Sequence, residues 1–103
     1  MTTLYEGRLG DDSLIYPPNA LLEGTVQLST PATSVRALLR GFELGFQAGD
    51  RPLTSLMIDL ETTYGDTPSQ VVVRARTRLA GPANEWSATK VFIYYTLVAE
   101  SDD

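Results

Sequence analysis

The sequence contains no cysteine and no histidine. The first absence excludes disulfides, thiol nucleophiles, thiolate zinc sites and iron–sulfur clusters. The second excludes a Ser-His-Asp triad and an imidazole base, and removes the side chain that ordinarily titrates near neutrality. Basic charge is scarce: eight Lys and Arg stand against thirteen Asp and Glu, a net charge of −5. That balance argues against a nucleic-acid partner, since phosphate contacts need a local excess of cations. No apolar run approaches the roughly 18 residues of a membrane-spanning helix, so no membrane insertion is expected. The opening MTTLYEGRLGDDS has no basic start, apolar segment or small-residue cleavage site, so it does not read as a secretory signal, and Met1 reads as a native start. No window of about 11 residues repeats apolar side chains at i, i+3, i+4 and i+7, so no long helix is expected.

What remains is a chain for one domain of 103 residues, 43% hydrophobic, enough for a packed core. Short runs rich in Thr, Val and Ile alternate with clusters of Gly, Pro, Asp and Asn, the pattern of an all-β fold. Six strands are expected: Thr3 to Leu9, Glu23 to Ser29, Ser34 to Phe46 with a bend at Gly41 or Gly45, Thr54 to Tyr64, Gln70 to Leu79, and Lys90 to Ala99. Pro17 and Pro18 place residues 10–20 in a loop, and Glu100 to Asp103 form an acidic, frayed tail. In the fourth strand Leu56, Ile58 and Leu60 face inward and Met57, Asp59 and Glu61 outward; in the fifth, Val71, Val73 and Ala75 face inward. The expected architecture is a six-stranded antiparallel β-sandwich or flattened barrel.

Seven of the eight cations are Arg, whose planar fork suits bidentate pairing, unless the bias is one of codon usage or lineage. Arg74, Arg76 and Arg78 share one face of the fifth strand, about 7 Å apart. Asp59 and Glu61 share a face of the fourth. If these strands pair, the arginines oppose the carboxylates. Three uses stay open: a solvated ladder of ion pairs, a subunit interface, or capture of an anion such as phosphate or sialate. Acid–base catalysis needs two converging carboxylates. Asp11 and Asp12 are adjacent in a loop and point apart, and the arginines beside Asp59 and Glu61 would lower their pKa values. With no nucleophile–base pair to assemble, no enzyme activity is expected. No cage of oxygen ligands suggests a metal, and no cofactor is called for. The single tryptophan, Trp86, stands beside hydroxyl residues where a loop enters the last strand. An amphipathic ring there suits a sugar, or closes the end of the core.

Two segments are similar to motifs of the H-type lectins, the small β-sandwich domains of snail agglutinins and of the discoidin C-terminus. Leu39-Arg40-Gly41-Phe42-Glu43-Leu44 resembles their L-x-G-F-D-I strand, and Trp86-Ser87-Ala88-Thr89-Lys90-Val91-Phe92 resembles their W-x-D-T-x-V-Y motif. The stretch from Val26 to Val35 is similar to the family's first region, F-x-x-P-F-x-x-P-x-V, and Ile93 to Ala99 to its last strand. The resemblance spans residues 24–100, with 1–23 as an N-terminal strand and loop of the same domain and 101–103 as the tail. It implies binding of galactose or N-acetylgalactosamine between neighbouring subunits of a trimer, with Gly41, Glu43 and Arg51 from one subunit facing Trp86, Ser87 and Phe92 from the next. This chain departs from the motifs where Glu43 and Ala88 replace Asp, where Phe92 replaces Tyr, and in a longer loop before Trp86. A changed or lost sugar preference would follow.

A second class of function is an oligomeric structural or adhesion component of a phage tail or virion. A cysteine-free, acidic, signal-less chain suits such an assembly, virion-associated or exported by a non-classical route. Either way a homotrimer, or a hexamer made by doubling it, is expected, with the Arg74, Arg76 and Arg78 face and Asp59 and Glu61 as the candidate interface.

Overall fold

The computed structural model describes residues 1–46, 55–80 and 88–102, the side chains of residues 46, 88 and 89 excepted. Six strands are present: β1 Thr2–Leu9, β2 Asn19–Gln27, β3 Ser34–Phe46, β4 Ser55–Tyr64, β5 Gln70–Ala80 and β6 Ala88–Glu100. They form two antiparallel sheets of three, ordered β1-β6-β3 and β2-β5-β4. No helix occurs among the described residues. Only the β4–β5 connection stays within a sheet; every other connection crosses between the two.

The alternation of side chains explains the layering. Along β5, Val71, Val73, Ala75, Thr77 and Leu79 are buried while Arg76 and Arg78 are exposed. Along β6, Val91, Ile93, Tyr95, Leu97 and Ala99 enter the core, joined by Leu9, Leu22, Leu28 and Ala32. Leu56, Ile58 and Leu60 of β4 pack against this core, on the expected side. Each fully buried aliphatic side chain contributes roughly 1.5–3 kcal/mol. β5 and β6 are the central strands of their sheets and hold the most deeply buried residues, Ile93, Leu97, Val71, Val73 and Val91.

Strand boundaries shift from expectation by one to four residues, and two of the shifts have a clear physical cause. β2 begins at Asn19, four residues before Glu23, and the ladder reaches Pro18, whose carbonyl accepts from the Leu79 N–H at 2.9 Å. Proline lacks a donor but keeps its acceptor, and β2 is an edge strand, where that suffices. The C-terminal end is not frayed at its start. Glu100 closes β6, its side chain accepts from the Thr2 hydroxyl at 2.9 and 3.0 Å, and the Ser101 N–H donates to the Met1 carbonyl at 2.8 Å. Pairing with the N-terminal strand ties it down. The start expected for the fourth strand at Thr54 lies outside the described residues.

The expected bend in β3 is a bulge. Leu39 pairs with Tyr95 and Gly41 with Tyr94, leaving Arg40 as the extra residue, and a second shift falls between Gly45 and Phe46. The phase of burial changes there: Val35 and Ala37 face the core before the bulge, Leu44 after it.

Gly10 and Gly7 leave no room for a side chain. Gly10 has φ +123°, and a Cβ on it would lie 2.1 Å from the Val91 carbonyl oxygen and 2.8 Å from the Phe92 ring. Gly7 faces Tyr95, whose ring would meet a Cβ at 2.4 Å. Gly10→Ala is expected to destabilise the fold by about 1–3 kcal/mol through backbone strain, and Leu97→Ala by about 2–5 kcal/mol through the cavity it leaves. Urea unfolding followed by far-ultraviolet circular dichroism checks both; an unshifted midpoint for either contradicts the packing described.

Candidate functional site

On the outer face of the β1-β6-β3 sheet, Glu43 lies directly across from Phe92. Its diagonal neighbours on β6 are Tyr94, paired with Gly41, and Lys90, paired with Gly45. Such diagonal positions are within reach of long side chains, and both are used. The Tyr94 hydroxyl donates to Glu43 Oε1 at 2.5 Å, and Lys90 Nζ lies 3.2 Å from Oε2. The hydrogen bond from Tyr94, then the one from Lys90, holds the Glu43 carboxyl below its ordinary pKa. The same bond to Glu43 pushes the Tyr94 hydroxyl up, because ionising it would discard the donated proton. A carboxylate offers about four acceptor positions; with two occupied from the protein, Glu43 keeps capacity for donors from outside.

Cations surround this pair. Arg8 lies across β6 from Gly41, level with Tyr94, and its guanidinium stands 4.4 Å above the Phe92 ring. Lys90 Nζ is 5.5 Å from the same ring. The bulge residue Arg40 reaches 5.8 Å from the Tyr94 ring and 4.0 Å from Glu6. Gly41 leaves an opening beside them: a Cβ there would meet nothing within 4 Å.

The structure brings Gly41, Glu43 and Phe92 together on one chain, whereas the resemblance divides them between two subunits. Phe92 is only 3% exposed, its ring covered by Arg8 and Gly10. The expected stacking of Phe92 on a sugar therefore has no free ring face in this chain; the accessible aromatic beside Glu43 is Tyr94, which is half-buried. Arg51, Trp86 and Ser87 lie outside the described residues. The segments that carry them, 47–54 and 81–87, are bounded by two ladder pairs, Phe46 with Ala88 and Ser55 with Ala80. The Phe46–Ala88 pair lies three residues along β3 from Glu43. Tyr94, Lys90, Arg8 and Arg40 were missed by sequence reasoning. The spacing Lys90, Phe92, Tyr94 was the signal, since a period of two puts all three on the face of Glu43 once the pairing is known.

The second constellation lies on the outer face of the β2-β5-β4 sheet. Arg76 faces Asp59 and Arg74 faces Glu61 across β4, the expected opposition. The ion pairs formed are different ones. Arg74 Nε meets Glu23 of β2 at 2.6 Å, and Arg76 reaches diagonally to Glu61 at 3.6 Å. Glu23 was missed because nothing in the sequence identifies β2 as the other neighbour of β5. A cleft of about 340 Å³ opens on this face beside Arg76, Arg78 and Asp59.

Glu43 is expected to titrate below an ordinary glutamate in a carbon-13 NMR titration, and Tyr94→Phe is expected to move its midpoint up. Because the folded-state value is depressed, the associated stabilisation is present above the unfolded carboxyl value and is lost as pH falls through the folded one. The stability difference between wild type and Tyr94→Phe should therefore shrink on acidification. A Glu43 midpoint unmoved by Tyr94→Phe would show that the bond does not form in solution. No protein-family model, curated protein or solved structure matches this chain.

Proposed function

We propose that this chain is a glycan-binding module of the H-type lectin kind, taking galactose- or N-acetylgalactosamine-type sugars at the end of the sandwich next to Glu43. The observation that carries this reading is the Glu43 carboxylate, kept ionised and exposed by Tyr94 and Lys90 beside the open position at Gly41. Sugars are recognised by acceptors and donors set around a small amphipathic surface. Glu43 accepts from two sugar hydroxyls, the guanidiniums of Arg8 and Arg40 donate to ring or acetamido oxygens, and the Tyr94 ring offers the apolar wall. Arg51, Trp86 and Ser87 complete the site from the adjoining segments, as the resemblance implies, from the same copy or a neighbouring one in a trimer or hexamer. Binding at one site is weak, about micromolar to millimolar, and several sites in one assembly supply avidity.

A structural role in a larger assembly, such as a tail or virion component, is the second reading. Exposed Leu4 and Leu38, at 63% and 49%, favour it, because both lie on the outer face of the β1-β6-β3 sheet.

A glycan array followed by calorimetry separates the two. Galactoside binding by wild type, abolished by Glu43→Ala with an unchanged dichroism spectrum and assembly mass, is the expected outcome. Equal binding by Glu43→Ala removes the site assignment, and a blank array transfers the protein to the structural class.

A further inference from the structure

We propose that the outer face of the β2-β5-β4 sheet docks a second copy of this chain about a two-fold axis, with Arg78 of each copy paired to Asp59 of the other. The charges along β5 are matched within the chain only part of the way. Arg74 is held by Glu23, with Thr63 accepting from its Nη1 at 3.4 Å, and Arg76 is held by Glu61. Asp59 stands across from Arg76, but that guanidinium is engaged by Glu61. Arg78 stands between Asn19 and Met57, neither of them an anion. Arg78 and Asp59 thus form no ion pair with any described residue.

One unmatched charge of each sign on a single face is the condition for a self-complementary contact. Rotation by 180° about an axis between Arg78 and Asp59 sets each charge of one copy against its opposite on the other, and the two pairs so formed are identical. Both residues border the same cleft, with Leu21 and Met57 beside them at 51% and 49% exposed. In the paired state these apolar side chains lose their contact with water, which favours association. The face also carries three arginines and three carboxylates, so the chain's net charge of −5 does not oppose contact here. Asp59 in the cleft disfavours the alternative occupant, a small anion.

A two-fold contact doubles whatever assembly the other surfaces build, so wild type should sediment as an even number of copies at tens of micromolar. Arg78→Asp and Asp59→Arg should each halve that mass, loosening the contact roughly 100-fold, in keeping with close charge pairs at interfaces. Dichroism confirms that both variants fold. An equimolar mixture of the two should restore the wild-type mass. In the mixed pair the introduced aspartate of one variant meets the introduced arginine of the other, and the native Asp59 of the first meets the native Arg78 of the second. The inference is overturned by an odd or single-copy wild-type mass, by either variant keeping the wild-type mass, or by a mixture that stays at half mass. It is overturned equally if wild type binds sialyllactose at this face and Arg78→Asp abolishes that binding without changing mass. The readout is mass, not galactoside binding, so this contact and the Glu43 site can fail separately.

Discussion

Everything in this molecule depends on the contact between the inner faces of β5 and β6. Each is the central strand of its sheet, and each sends every second side chain into the other. β5 contributes small and branched residues, Val71, Val73 and Ala75; β6 contributes larger ones, Ile93, Tyr95 and Leu97. The outer strands depend on that layer for burial, and where they approach it most closely they give up side-chain volume, as Gly7 does under Tyr95. With the inner faces given over to packing, the two outer faces are free to carry charge and to differ from each other.

Their charges are distributed with consequences for association. The β2-β5-β4 face balances three arginines with three carboxylates, and the β1-β6-β3 face carries Arg8, Arg36, Arg40 and Lys90 against Glu6, Glu43 and Glu100. The acidic excess therefore lies in the connections and the tail, in residues such as Asp11, Asp12, Asp66 and Asp102. Neither outer face carries the acidic excess, so net charge does not oppose contact through either of them.

How far the sequence revealed this depends on whether the information is local. Strand existence is local: Ser34 to Phe46 and Gln70 to Leu79 were readable from alternation and flanking turn residues, and β3 was bounded to the residue. Pairing is not local. That Arg74 turns to Glu23 rather than Glu61 follows from the strand order β2-β5-β4, and no periodicity within either strand encodes it. Phe92 shows the same limit from another side. An aromatic at an outward position reads as available for stacking, yet the positive φ of Gly10 and the guanidinium of Arg8, both near the other end of the sequence, close its surface. The bulge at Arg40 had a readable signal in the change of phase from Val35 and Ala37 to Leu44, since inward positions of one strand can move from odd to even numbers only through an extra residue.

That extra residue connects the core to the candidate site. If β3 kept its initial phase beyond Leu39, the inward positions would continue through Gly41 and Glu43, and an unpaired carboxylate would be driven into the core at a cost of several kcal/mol. The bulge at Arg40 reverses the phase, so Leu44 packs inward and Glu43 emerges beside Tyr94 and Lys90. It also sends Arg40 toward the Tyr94 ring, adding a cation to the same surface. Beyond it β3 ends at the pair Phe46–Ala88. At this end of β3 the bulge therefore puts a hydrogen-bonded, exposed carboxylate on the surface without drawing on the layer between β5 and β6.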